Sequence, residues 1–381
     1  MPYYPRALAP HLRAYLQAFP VVAITGPRQA GKSTLLMQEL GNTYTYVTFD
    51  DQEIIHEFYD DPKRFMNRYN HRVIFDEVQK VPEIFDAIKL IVDKNRSEYG
   101  QFILTGSSQF TMLKSITESL AGRIGLLTLL PLQCFEIPTE LRLQSQYKGG
   151  YPELITRNFQ YADDWYKAYL TTYLERDVRQ LLNIGDMNAF HQLLKLLASQ
   201  VSQPLQISNL ATNIGVSVMT IKRWISVLEA SYIIFLLPPF YNNYGKRLIK
   251  RSKVYFYDPG LVAYLTRITT EDLFENGPLT GELFENYIVS EVKKKICHSN
   301  VHADLYYLKT EHGVEVDLIV DYTTHKQFVE IKHSSTFKPD MVKALLKFIQ
   351  SKDRGVLVYN GTTRPYEPNL EIQYYQDFLS R

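Results

Sequence analysis

VVAITGPRQAGKSTLL, residues 21–36, is the stretch on which the reading of this chain turns. Four apolar residues end at Thr25, and Gly26, Gly31, Lys32 and Ser33 then fall in the spacing Gly-x-x-x-x-Gly-Lys-Ser ahead of a helix-compatible run. The pattern predicts a strand, a phosphate loop and a helix. Glycine lets backbone N–H groups turn inward around a polyphosphate, so Gly26, Pro27, Arg28, Gln29, Ala30, Gly31, Lys32, Ser33 and Thr34 form the expected cradle for ATP. Lys32 supplies a point charge for the β- and γ-phosphates, and the Ser33 hydroxyl is a candidate ligand of Mg²⁺.

The chain has 381 residues, too many for one ordinary core, so two or three domains are expected. A formal charge of +1 excludes a global basic field, and any nucleic-acid surface must be a local patch. Cys134 and Cys297 stand far apart without Cys or His partners at zinc spacing, which argues for a reducing compartment. The start lacks the apolar core of a signal peptide, and no run approaches the roughly 18 apolar residues of a membrane span. A cytosolic location is expected, with no membrane partner.

Residues 72–77, RVIFDE, form the second decisive segment. An apolar strand buried on both faces delivers two carboxylates at its C-terminal end, where ligands bind in a parallel α/β sheet. Asp76 is expected to hold Mg²⁺ through its water, and Glu77 to orient the attacking water. Asp50 and Asp51 end another strand, where a turn or helix cap competes with metal binding. Residues 101–104 form a further strand, after which Ser107 either senses the γ-phosphate or caps a helix. Arg123 precedes a last apolar strand and either reaches a γ-phosphate, in cis or from a neighbouring subunit of a homo-oligomer, or is a surface arginine.

GPRQAGKSTL, VIFDEVQ, LTGSSQF, SLAGRI with LLPL, YPE and TTYLERDV come in the order found in a bacterial and archaeal family of predicted AAA-type ATPases. The chain resembles that family over essentially its whole length. The resemblance implies a P-loop domain of the additional-strand class, a winged helix and a C-terminal restriction-endonuclease-like domain.

The residues themselves divide accordingly into a P-loop α/β domain with a parallel sheet (1–145), a helical arm (146–185), a winged helix-turn-helix (186–270) and a small α/β domain (275–381). Residues 161–182 read as one helix with an aromatic stripe; Glu175, Arg176, Asp177 and Arg179 are ion-paired surface there, or Arg176 couples to nucleotide. Ala211, Gly215 and Ile221 have the sizes a tight helix crossing demands, and Ser217 caps the second helix, whose exposed face carries Thr220, Lys222, Arg223 and Ser226. Lys246, Arg247, Lys250, Arg251 and Lys253 would form a basic wing able to meet DNA phosphates, or a clamp on the ATPase.

In the last domain Asp317 is followed after twelve residues by Glu330-Ile331-Lys332. Two carboxylates on neighbouring strands can converge on a hard cation, and Lys332, two residues on, shares their face. The set resembles the PD-(D/E)xK nuclease superfamily, which implies that Glu285 adds a helix glutamate to the metal site; Val316 departs from the motif's proline. Cys297, His298, His302, His312 and His325 fit no ligand spacing. The expected function is a Mg²⁺-dependent ATPase whose nucleotide state repositions a DNA-binding winged helix and a nuclease-like domain. The alternative is an ATP-dependent switch in which both modules bind protein. An open, basic-rimmed cleft at Asp317, Glu330 and Lys332 would favour the first.

Overall fold

The strands β1 (Val21–Thr25), β2 (Thr45–Thr48), β3 (Val73–Asp76), β4 (Phe102–Thr105) and β5 (Ile124–Thr128) form one parallel sheet in the order β2-β3-β4-β1-β5. In this computed structural model the described residues are 2–106, 116–174, 186–240, 251–311 and 313–380. β1, β3 and β4 are buried along their whole length, as continuous apolar strands covered on both faces must be. Alternate residues feed two cores: Val21, Ala23, Phe75, Phe102 and Leu104 on one face, Val22, Ile24, Ile74 and Ile103 on the other. Helices α1 (Ala9–Leu16) and α2 (Lys32–Leu40) supply Leu12, Leu35 and Leu36 to the second core, beside Leu8 just before α1, while α3 (Gln52–Asp60), α4 (Pro62–Arg68) and α5 (Ile84–Val92) cover the first. β4 lies between the strand that opens the phosphate loop and the strand that ends in Asp76, the additional strand that the resemblance implied.

The chain divides into two compact units, the first comprising 1–132 with 230–232 and 297–300, the second the remainder. In the second unit α6 (Ala162–Tyr169) continues into a wide helical turn at Leu170–Leu174. Trp165 stacks on Tyr169 at 5.1 Å, with Tyr151 and Tyr166 against them, so this part of the expected aromatic stripe is packed. Residues 175–185, which hold the acid-base run of the arm, lie outside the described residues.

Next come α7 (Met187–Ser199), α8 (Ile207–Ile214) and α9 (Val218–Ala230), followed by β6 (Ile234–Leu237) paired antiparallel with β7 (Lys253–Phe256). Gly215 ends α8 in the left-handed region at φ 81°, its N–H on the Ala211 carbonyl, and the Ser217 hydroxyl accepts from Thr220 N–H to start α9. Gly215 therefore turns the chain and Ser217 caps the helix after it, at the positions expected for them.

After α10 (Pro259–Thr266) and α11 (Thr280–Ser299), a second sheet runs β12-β13-β11-β10-β9-β8. Its strands are β8 (Asp304–Lys309), β9 (Glu315–Asp321), β10 (Lys326–Lys332), β11 (Arg354–Tyr359), β12 (Arg364–Glu367) and β13 (Leu370–Tyr374), with α12 (Lys343–Phe348) packed on it through Leu345 and α13 (Tyr375–Ser380) closing the chain. β13 and then β12 extend this sheet beyond β11. No helix among the described residues is long and apolar enough to cross a membrane.

Candidate functional site: the phosphate loop and a carboxylate–lysine cluster

Parallel pairing brings the C-terminal ends of β1 and β3 to the same edge of the first sheet, and the chemistry-bearing residues collect there. Gly26 has φ 140°, and a Cβ on it would stand 2.0 Å from the Leu129 carbonyl oxygen; Gly31 has φ 92° at the start of α2. Both positions exclude side chains for backbone reasons. The Lys32 ammonium, nearly buried, donates to the carbonyls of Gly26 and Pro27, each at 2.9 Å. It therefore spans the loop from inside.

Ser33 Oγ donates to Asp76 Oδ2 at 2.9 Å, and the Glu77 N–H donates to Asp76 Oδ1 at 3.1 Å. A hydroxyl and a buried carboxylate side by side at a helix N-terminus are a donor set suited to a hard divalent cation, and the site fits Mg²⁺. Glu77 itself adopts φ 56°, ψ 41°, a left-handed backbone costing on the order of 1 kcal/mol for a residue with a Cβ. Its carboxylate accepts from Gln79 Nε2.

Asp51 caps α3 by accepting from Glu53 N–H, and Asp50 pairs with Lys80, so these two acids are cap and surface ion pair rather than metal ligands. Arg123 precedes β5, at the opposite edge of the sheet from its own phosphate loop, because β5 runs parallel to β1. There it grips Asp93 through Nε and Nη2 at 2.7 and 3.0 Å and holds that carboxyl down at about 2. Reach to the γ-phosphate in cis is therefore corrected. Ser107 lies outside the described residues.

Two contributors went unread in the sequence. Arg6, 5% exposed, donates to the carbonyls of Ala30 and Leu130 at 2.8 and 2.7 Å and so ties the loop to the segment after β5. Tyr46 on β2 donates its hydroxyl to Asp76 Oδ2. Neither belongs to a motif, and no spacing signal marks them.

The second unit holds a different cluster. β9 and β10 pair with Leu318 opposite Val329, and the next step of that register sets Asp317 opposite Glu330 on one face. Lys332 Nζ bridges them, 2.7 Å from Glu330 Oε1 and 3.4 Å from Asp317 Oδ2, while Ile331 N–H donates to Asp317 Oδ2 at 2.8 Å. Glu285 of α11 stands nearby but meets a second cation: Lys253 Nζ lies 3.0 Å from Glu285 Oε1 and 2.6 Å from Glu315 Oε1, and Tyr255 donates to Glu285 Oε1 at 2.5 Å.

Burial, then the charge of Asp317, pushes both Glu285 and Glu330 above the usual carboxylate range. Desolvation would lower both lysines, yet the surrounding carboxylates raise them. Lys253 is only 2% exposed, which corrects its place on a basic wing: it is an internal cation. Lys246, Arg247 and Lys250 lie outside the described residues, whereas Arg251 is exposed. Asp317 and Glu330 are each 7% exposed, so the two carboxylates are covered, the outcome that favours the protein-binding alternative, while Lys332 stays partly exposed. Among the described residues no three His, Cys, Asp or Glu side chains form a metal-holding group; two ammonium groups stand among the four carboxyls instead. Even so, Glu330 Oε2 is buried without a hydrogen-bond partner among the described residues.

Residues 18–137 match the family described as an AAA domain, and residues 140–272 and 280–375 match two domains of unknown function, DUF8612 and DUF4143. Uncharacterized proteins of Mycobacterium tuberculosis and Mycobacterium bovis are each 29% identical over 363 residues, covering 94% of this chain and 80% of theirs. Among solved structures, the Walker-type ATPase of Pyrococcus abyssi aligns with a TM-score of 0.49 at 14% identity, over 69% of this chain and 96% of its own. A RuvB variant of Thermotoga maritima aligns at 0.29 and 15%, over 61% and 89%. With the AAA match laid over the phosphate loop and the Asp76 strand, the protein is a P-loop ATPase.

Proposed function

We propose that ATP hydrolysis at the first unit controls a second unit that acts on DNA, through the helix-turn-helix and the nuclease-like sheet. In the ATPase step Lys32 exchanges its loop carbonyls for phosphate oxygens, and Ser33 turns a lone pair outward, which shifts its hydrogen bond to Asp76. Mg²⁺, when bound, neutralises charge developing on the transferred phosphoryl group. Glu77 leaves Gln79 to accept the proton of the attacking water.

The observation that supports DNA action is the cross-strand pair Asp317–Glu330 with Lys332 on the same face, the residue types and parity that metal-dependent strand cleavage uses. Lys222, Arg223 and Ser226 on the exposed face of α9 supply a surface for backbone phosphates. The test is cleavage of a panel of DNA and RNA forms with Mg²⁺ or Mn²⁺, with and without ATP. Asp317→Asn is expected to abolish cutting and leave ATP hydrolysis nearly intact; absence of cutting by the unmodified protein under every condition overturns the nuclease reading.

The Lys253 bridge favours a second reading. A buried ammonium already neutralises Glu285 and Glu315, so the sheet works without a divalent ion and the second unit serves as a protein-binding module switched by ATP. In that case divalent ions leave the thermal stability of the second unit unchanged.

A further inference from the structure

Asp76 receives more hydrogen bonds than its role as a metal-facing carboxylate requires. Oδ2 accepts from both Ser33 Oγ and Tyr46 Oη, and Oδ1 accepts from the Glu77 N–H. A carboxylate offers about four lone-pair positions, so these three donors leave one, on Oδ1. We propose that Tyr46 is a positioning residue of the ATPase site, fixing the Asp76 carboxylate so that its remaining lone pair meets the water held by the nucleotide's divalent cation.

The fold explains why the residue is a tyrosine. Register places Tyr46 opposite Ile74 and Thr48 opposite Asp76, so Tyr46 starts two residues short of the carboxylate it touches. Two residues along a strand are about 6.6 Å. Serine and threonine hydroxyls fall far short of that span, whereas the phenol carries its oxygen at the far end of a rigid ring. Tyr46, Ile74 and Asp76 share one face by parity, and the ring lies against the core that α2 covers.

The arrangement is compatible with a loaded site. Ser33 must turn a lone pair outward to a cation, and during that turn its grip on Oδ2 changes. Tyr46 comes from a different strand and holds the same oxygen through the change. Without it, the vacated lone pair of Oδ2 competes for the cation's water, and the carboxylate has two orientations in place of one.

The experiment compares Tyr46→Phe with the unmodified full-length protein. A fluorescent ATP analogue is titrated with and without Mg²⁺, and steady-state hydrolysis is followed across a Mg²⁺ series. Loss of one hydrogen bond to a charged acceptor predicts about a tenfold rise in the Mg²⁺ concentration for half-maximal hydrolysis. Metal-free nucleotide affinity stays unchanged, and the gain in affinity on adding Mg²⁺ shrinks. Tyr46→Gln, whose donor is too short to reach, behaves like Tyr46→Phe. An unchanged or tighter Mg²⁺ response overturns the proposal, the latter making the phenol a competitor of the metal's water. An equal loss of metal-free affinity also overturns it, since that marks a merely structural tyrosine.

Discussion

The phosphate loop of the first unit and the carboxylate–lysine cluster of the second are built from the same groups and held in opposite ways. Lys32 binds two neutral carbonyls, which a phosphate can replace without leaving a buried charge behind. Lys253 binds two carboxylates while almost wholly enclosed, so nothing can replace it except another cation. The lesson is that a lysine's availability for chemistry depends on what its withdrawal leaves uncompensated.

That contrast can be broken most severely at Lys253. Lys253→Met keeps the volume and removes the charge, leaving Glu285 and Glu315 without their cation. A loss of about 3 kcal/mol of stability is expected, read as a fall in the urea midpoint of the second unit. Recovery on adding Mn²⁺ would show that the carboxyls can take a metal once the lysine is gone; an unchanged midpoint would remove the basis for calling it an internal cation. Lys32→Ala should leave stability nearly intact and weaken ATP binding by roughly 2 kcal/mol, about thirtyfold, since a charged donor to the phosphates is lost. Calorimetry checks it, and unchanged affinity would contradict the loop assignment.

A smaller effect follows from protonation. Glu285 and Glu330 have folded values raised above their unfolded ones, so these two groups hold more protons in the folded state than in the unfolded chain. Their stabilisation is complete below the ordinary carboxylate value and is lost as pH rises through the raised ones, at about 1.4 kcal/mol per pH unit for each proton. Unfolding measured as a series from acid to neutral should show that decline, and Glu330→Gln should flatten part of it. Smallest of all, Arg123→Ala should alter ATP hydrolysis less than about twofold, because its partner is Asp93 at the far sheet edge. A loss of orders of magnitude would mean that it serves the site of a neighbouring subunit.

How much of this was legible follows from where each contact sits along the chain. The phosphate loop was readable because its spacing in sequence is its spacing in space, and Asp76 with Glu77 because an apolar strand points its last residues at the ligand edge. Arg123 was misplaced although parallel strands settle the matter: a residue before β5 cannot lie beside a loop after β1. Lys253 was counted into a charge run because composition carries no sign of facing; its partner Glu285 stands 32 positions on. β12 escaped because every residue in it is exposed and Pro365 interrupts the pattern, whereas Leu370 and Ile372 of β13 do alternate and could have been read. Arg6 and Tyr46 act singly, and only the register of β2 on β3 reveals the second.

The central claim is that hydrolysis occurs at the first unit with Glu77 activating water, and Glu77→Gln tests it most directly. The substitution keeps the shape and removes only the base. Nucleotide binding should match the unmodified protein, while the turnover number falls by about a hundredfold or more. Turnover at the unmodified rate, with binding intact, would contradict the account.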